Sequence, residues 1–443
     1  MSLTATPPLG ESDLRSAHSS AANELVVLYV GAALLFLTVL ASLRLFNNTL
    51  ISRLAPRGIS TTWSQAQHHV EIFGFLGTLV IGASFCWLVQ RKPDVLLWPG
   101  RICFVLWTLG VGLRLSAGLY PRHWPVLLVA SALLQAVAFL LLARSIIQCR
   151  AWRILAGEDG RPQLWTLILL GSGCGFAGAL TANLYESVRL ALTAHAPIFP
   201  HAFDTALLII AVWGFLAPMA WGISAAFLPE LLALKPIRSR LLIAACVLDV
   251  LGSAAAIAGR IHLAAVLLLH AAIFAPSSVR AFGKSQRPVT EIAHPGFIRL
   301  AYVWLRVAAT LGVWASVHDR APIWAASRHL LIVGFVYTSV LVLFEWAVAR
   351  LSGTRLRFNA RATFAAMLLL NIGCALQAIS GILSGQGYLP RASHVLPLAA
   401  AVELGAVLLF VYNVAVGMLN AEGTKEMILN AERAKVAEVA EEI

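Results

Sequence analysis

The chain has 443 residues, of which 59% are hydrophobic and only 12% carry a charge. Soluble domains carry roughly 25% charged residues, so this composition excludes an ordinary soluble protein and indicates a surface that faces lipid. The formal net charge of +12 would suit a nucleic-acid-binding protein. The basic residues are distributed as in a membrane protein, however, and we expect no nucleic-acid partner.

About twelve apolar stretches follow one another along the chain, each long enough for the ~20 residues that a membrane-spanning helix needs. They leave no room for a soluble catalytic domain. We therefore predict an all-α polytopic membrane protein with about twelve transmembrane helices in residues 25–419, between a polar N-terminal tail (1–24) and a cytoplasmic helical tail (420–443). The predicted helices centre on Leu35, Val80, Gly110, Leu133, Gly175, Trp213, Leu248, Leu267, Thr310, Leu341, Leu370 and Leu409.

Arginine and lysine cluster in alternate loops between these stretches. By the positive-inside rule those loops are cytoplasmic, which places both termini in the cytoplasm and agrees with an even number of spans. The pattern predicts a multi-pass protein of a bacterial inner membrane. The clusters are Arg91, Lys92 and Arg101; Arg144, Arg150, Arg153 and Arg161; Lys235, Arg238 and Arg240; Arg280, Lys284, Arg287 and Arg299; and Arg350, Arg355, Arg357 and Arg361.

Six histidines lie where the even-numbered stretches begin, on the predicted outer side of the membrane. An ionisable side chain inside a bilayer is costly, so a layer of such residues indicates a functional site. Imidazole is also a common ligand of haem iron and copper. The six residues are His69, His123, His201, His262, His329 and His394.

His69 and His329 begin the same short pattern, HxxxxGF, in residues 69–75 and 329–335. Two imidazoles at matched depth on separate helices are suited to be the axial ligands of a haem iron. No CxxCH motif is present, so the predicted haem is of the non-covalent b type. The glycine of the pattern permits close helix packing or leaves space for a flat macrocycle. The alternative is that each histidine is interfacial and bonded to a loop carbonyl.

Four further histidines are candidates for a second haem or a copper centre: His201, His262, His270 and His394. His262 and His270 lie on one helix, ~12 Å apart along its axis, so one metal cannot bind both without distortion of the helix. His201 is three residues before Asp204, whose carboxylate could orient the imidazole. The alternative for His201 and His270 is an ordinary hydrogen bond, and for His394 it is a position at the membrane interface.

A haem also needs cationic partners for its two propionates. Arg328 adjoins His329, Arg260 lies two residues before His262, and Arg114 lies in the outer half of the third stretch. These three arginines are the candidates. The alternative for Arg260 and Arg328 is that their side chains simply reach to the membrane interface.

Twelve spans with histidines at the start of the second, sixth and tenth resemble the main subunit of haem–copper oxidases and nitric-oxide reductases. In that superfamily the low-spin haem is held between helices two and ten, which implies His69 and His329 as its ligands here. The seventh predicted span, 241–259, contains no histidine. The copper site of that superfamily, and with it oxygen reduction, is therefore not expected.

A closer resemblance is to the NnrS family. It depends on His69 with Phe73-Gly74-Phe75, on Arg328-His329 with Gly334-Phe335, and on the segment 302–305, Tyr-Val-Trp-Leu. Members are regarded as membrane proteins that contain haem and copper and are associated with nitric oxide. The resemblance implies nitric oxide handling or nitrosative-stress resistance near the outer face. If redox conversion occurs, it also implies oxidoreductase activity and an electron-donor protein.

A proton-coupled secondary transporter is the alternative from another class. The same histidines would then act with the carboxylates and other charged groups inside the spans. Substitution of His329 separates the two hypotheses, because a haem protein would lose its chromophore and a transporter has none. The charged groups are Glu71, Asp249, Arg306, Glu345 and Glu403.

Overall fold

The architecture is known from a computed structural model of the chain. It describes the backbone of residues 11–54, 61–120, 122–149, 163–284, 295–318, 321–352, 358–387 and 390–441. Of these residues 89% are helical, and no strand occurs among them. The α-helices are Glu11–Leu54, Thr61–His69, Thr78–Val89, Pro93–Ala117, Trp124–Gln148, Leu164–Thr193, His201–Ile209, Ala217–Leu231, Ser239–Ile257, Ile261–Ser278, Pro295–His318, Ala321–His329, Thr338–Ser352, Ala360–Gly385 and Leu396–Glu441.

Twelve helical stretches within the described residues are long and apolar enough to cross a membrane. Each contains one of the twelve predicted centres, so the prediction of an all-α, multi-pass membrane protein is confirmed. We number them spans 1 to 12: Ala22–Leu50, Thr61–Val89, Val95–Ala117, Trp124–Gln148, Leu164–Thr193, His201–Leu231, Ser239–Ile257, Ile261–Ser278, Pro295–His318, Ala321–Phe344, Ala360–Gly385 and Arg391–Asn420.

Spans 2, 6 and 10 differ from the others in burial and in backbone. In their most apolar windows 72%, 61% and 78% of the residues are buried, against half or less in the other nine. Each of the three also contains a π-helical segment, at Val70–Gly77, Ile210–Leu216 and Leu330–Tyr337. Such segments are rare and frequently occur at functional sites. Spans 2, 6 and 10 are therefore the places to look for a site.

The π-helical segments release carbonyl groups from the regular helical ladder, and neighbouring side chains bond to these groups. Trp107 donates from Nε1 to the carbonyl of Phe73 at 3.2 Å, and Ser172 donates from Oγ to the carbonyl of Phe215 at 2.8 Å. Buried backbone groups need such partners. The sequence thus supplies donors where the π geometry requires them.

Two compact units divide the chain. Unit 1 comprises 1–40, 60–215 and 351–353, and unit 2 comprises 41–59, 216–350 and 354–443. His69 belongs to unit 1 and His329 to unit 2.

The glycines of the pairs Gly74-Phe75 and Gly334-Phe335 lie against side chains of neighbouring spans. A Cβ added to Gly334 would come within 2.7 Å of Trp304, and one added to Gly74 within 3.3 Å of Phe36. In span 5, a Cβ on Gly175 would lie 1.9 Å from the carbonyl oxygen of Gly214. These glycines therefore permit close helix packing, which was one of the two roles predicted for them.

A second set of glycines recurs in spans 3, 7 and 11. A Cβ on Gly110 would meet Cγ of Gln135 at 2.8 Å, and one on Gly373 would meet Cγ of Glu403 at 2.6 Å. A Cβ on Gly252 would meet Leu268 at 2.9 Å. In all three cases the added Cβ would also lie 3.1–3.3 Å from a backbone carbonyl oxygen of the facing helix. That oxygen belongs to the residue four positions before the contacted side chain, namely Ser131, Ala399 or Ala264.

These contacts recur in the same order along the chain, which defines an internal repeat of four spans. The first repeat is spans 1–4, the second is spans 5–8 and the third is spans 9–12. Residues at one position of the repeat can then be compared. Gln135, Leu268 and Glu403 occupy one such position, and His69, Ile209 and His329 occupy another, five residues before the GF glycine.

Candidate functional site

In the first repeat, His69 is buried and held by a side chain from span 4. It is 6% exposed and immediately precedes the π-helical segment of span 2. Nε2 of Gln135, a fully buried residue, donates to Nε2 of His69 at 2.9 Å. The His69 ring also packs on Phe73, with ring centroids 4.6 Å apart. The histidine is thus fixed in position by an amide and an aromatic ring.

In the third repeat, His329 is held from the corresponding position by a carboxylate. Nε2 of His329 donates to Oε1 of Glu403 at 2.8 Å. The other oxygen of Glu403, Oε2, accepts from Nη1 of Arg44 at 2.9 Å. All three side chains are largely buried, and Glu403 is only 3% exposed. A buried carboxylate is thereby compensated on both oxygens, as its burial requires.

The two partners have different effects on the imidazole proton. A carboxylate can only accept, so Glu403 fixes the proton of His329 on Nε2 and leaves the lone pair of a neutral ring on Nδ1. An amide can present either its nitrogen or its oxygen, so Gln135 suits either tautomer of His69. Metal-binding histidines are commonly oriented through the ring nitrogen that does not bind the metal. The arrangement at His329 has this form. At His69 the amide donates to Nε2, so it would have to turn and accept through Oε1 before Nδ1 could bind a metal.

The second repeat carries neither member of the pair. Where the other repeats have a histidine it has Ile209, and where they have a polar partner it has Leu268. Histidine and partner are therefore present together twice and absent together once. Since Ile209 and Leu268 fill these positions without any polar group, the fold does not require a histidine there.

A small cavity lies beside His69 within unit 1. Its lining includes Arg114, Asp204 and Phe199, and the space open to the centre of a water-sized molecule is about 20 Å³. A water molecule needs ~10–15 Å³ by this measure. A porphyrin therefore requires the side chains around His69 to move outward, whereas a small molecule does not.

Arg114 is one of the three predicted propionate partners, and it is the most deeply buried of them. It is 1% exposed, and its Nε and Nη1 have no hydrogen-bond partner among the described residues. Arg328 is half-buried at the end of the helix Ala321–His329, and Arg260 is exposed at the start of span 8. Of these three arginines only Arg114 is a buried residue, and two of its donors have no partner among the described residues.

The four histidines predicted for a second centre are exposed: His201, His262, His270 and His394. His270 lies within hydrogen-bond distance of the carbonyl of Val266, one turn earlier on its own helix, with Nδ1 at 2.8 Å. Within the part of the chain that the structure describes, no three His, Cys, Asp or Glu side chains are grouped as a metal site. A second haem or copper centre at these residues stays a prediction. The side chain of Glu345 lies outside the described residues.

Sequence reasoning missed Gln135 altogether and left Glu403 without a role. Both are distant in sequence from the histidines that they contact, and only the packing of spans 3, 7 and 11 shows that they are equivalent. The available signal was the recurrence of GF in span 6, at Gly214-Phe215. It would have revealed the second repeat and shown that Ile209 corresponds to the histidines.

Comparison with known proteins adds no family assignment. No protein-family model matches the chain, and no curated protein matches it. The resemblance to NnrS and to haem–copper oxidases therefore stays a prediction from short motifs.

Proposed function

We propose that the chain is a haem-binding protein of a bacterial inner membrane that handles nitric oxide. His69 and His329 are the residues that would hold b-type haem iron. The observation that carries the proposal is the joint presence, twice, of a buried histidine and a buried polar partner at equivalent positions, and their joint absence from the second repeat. The second repeat fills both positions with apolar side chains, so packing alone does not require the two polar pairs.

The donor set supports haem as the ligand. Each imidazole is oriented through Nε2 by its partner, and Arg114 offers unbonded guanidinium donors near His69, which suit a propionate. Glu403 and Arg44 hold His329 in one tautomer. The haem, when bound, supplies an iron that coordinates nitric oxide and changes its oxidation state. Conversion of nitric oxide would also require an electron-donor protein, and copper is a second metal of the proposal.

The experiment is an absorption spectrum of the full-length protein, purified in detergent from haem-replete cells, before and after reduction with dithionite. We expect sharp absorption bands from the reduced protein and a shift of these bands when nitric oxide is added. The bands should weaken or vanish in His69→Ala and in His329→Ala. They should persist in His195→Ala, which removes an exposed loop histidine.

A variant that fails to fold would also lose its haem, so a second variant is needed. The double substitution His69→Ile with Gln135→Leu installs the residues of the second repeat and keeps the position filled. We expect it to be monodisperse yet to lose the His69-dependent bands. A colourless, metal-free and well-folded wild-type protein would overturn the proposal and favour the proton-coupled transporter.

A further inference from the structure

The cavity in unit 1 has chemistry of its own, independent of haem. Arg114 is nine-tenths buried or more, and its Nε and Nη1 reach no acceptor among the described residues. Buried polar groups are nearly always hydrogen-bonded, and an exception needs an explanation such as a ligand. Arg114 lines the cavity, so a ligand there would meet the unbonded donors.

The guanidinium plane is held in place by its surroundings. Its central carbon lies 4.8 Å from the ring centroid of Phe199. Phe199 is itself fixed to span 2, because Gln65 donates from Nε2 to the Phe199 carbonyl at 2.9 Å and accepts from the Phe199 N–H at 2.8 Å. The donors of Arg114 therefore have a fixed direction before any ligand arrives.

We propose that this cavity binds a small, planar, singly charged oxyanion of about the size of nitrite or formate. Parallel hydrogen bonds to two oxygens come from neighbouring guanidinium donors, Nε with Nη2 or Nη1 with Nη2. Each of these two pairs contains one of the unbonded donors of Arg114. The space admits a molecule little larger than water, which excludes a tetrahedral anion such as sulfate.

The other titratable groups on the cavity wall are His68, His69 and Asp204. Asp204 is half-exposed and interacts electrostatically with Arg114. It offsets part of the arginine charge, so the cavity disfavours a doubly charged anion and accepts a single charge. His68 and His69 are neutral or positive, and neither opposes an anion.

The test uses full-length protein in detergent, with sodium nitrite and sodium formate as probes at constant ionic strength and sodium sulfate as the control salt. We expect saturable binding of nitrite by calorimetry and a matching rise in unfolding temperature, with no such rise in sulfate. Arg114→Gln should weaken binding by tenfold or more. Arg306→Gln is the matched control, since Arg306 also lies over a phenylalanine ring, at 4.9 Å, but is only half-buried.

A second variant is needed because Arg114→Gln could lose binding simply by failing to fold. Ala211 is 1% exposed and lines the cavity, so Ala211→Val fills the space and leaves Arg114 in place. We expect it to fold and to lose nitrite binding. Absence of saturable binding by the wild type, or unchanged binding in Arg114→Gln or Ala211→Val, would overturn the assignment.

The outcome is separable from that of the haem proposal because binding is measured on haem-free and haem-loaded protein. Nitrite binding by a protein that never takes up haem supports this site and removes the haem function. Binding that disappears on haem loading assigns Arg114 to a propionate and overturns the free-anion site.

Discussion

The pairing of His69 with Gln135 predicts an energetic coupling that the second repeat allows us to calculate. Gln135→Leu leaves the buried Nε2 of His69 without the partner that the structure gives it, which costs about 1–3 kcal/mol. His69→Ile leaves the amide of Gln135 unpaired, at a similar cost. The double variant replaces both by the residues of the second repeat. Replacing both partners with apolar groups is nearly neutral, so its net cost should be below ~1 kcal/mol.

The two single costs less the cost of the double variant give a coupling of about 1–6 kcal/mol. Double-mutant cycles on hydrogen bonds in another membrane protein gave coupling energies with a mean of ~0.6 and a maximum of ~1.7 kcal/mol. Because His69 is buried, we expect its coupling to Gln135 to lie in the upper part of that range, at about 1–2 kcal/mol. Gly110 should accept the leucine, since Gly252 already lies against Leu268 at the corresponding position.

The assay is a double-mutant cycle on the free energy of unfolding, measured by denaturant titration in detergent micelles. The control cycle combines Gln135→Leu with His195→Ile, which changes an exposed loop residue and should be additive within ~0.5 kcal/mol. Additive costs in the His69–Gln135 cycle itself would refute the reasoning, because they would show that the two side chains do not stabilise one another.

Two further predictions concern the glycines and the carboxylate. Gly175→Ala should abolish folding or cost well over ~3 kcal/mol, because its Cβ would lie 1.9 Å from a backbone oxygen. Gly173→Ala, with nothing within 4 Å, should be neutral or slightly stabilising by thermal unfolding. Glu403→Ala should cost about 3–5 kcal/mol because it removes the buried carboxylate that accepts from both Arg44 and His329. Glu403→Gln keeps the shape and should cost less; equal losses in unfolding free energy would contradict the role of the charge.

Much of the fold was predictable because lipid restricts what can cross it. A membrane-spanning segment must form its backbone hydrogen bonds within itself. Each apolar run, such as those centred on Leu133 and Leu267, therefore predicts one helix. All twelve predicted spans are confirmed for this reason. The π-helical segments were not predicted, since they depend on donors such as Trp107 that arrive from other helices.

The candidate site was predictable only in part. His69 and His329 could be singled out because both stand before the same GF pair. Their partners could not, because the contact of span 2 with span 4 is set by where Gly110 allows close approach, and no local pattern encodes it. The spacing of apolar residues predicts each helix separately, whereas a buried hydrogen bond between side chains depends on how two helices pack together.

His69 is bonded to an amide, Gln135, and His329 to a carboxylate, Glu403. This difference between the two partner residues is the feature that constrains function most. If the histidines only filled space, the same partner residue would suit both of them. The second repeat shows that apolar side chains also fill these two positions. Instead His329 faces a carboxylate that is itself bonded to Arg44, which makes the imidazole a stronger electron donor through Nδ1. His69 faces a neutral amide that imposes no such bias. The two imidazoles therefore differ in the charge of the group that holds them, so a cofactor bound at each would be tuned differently.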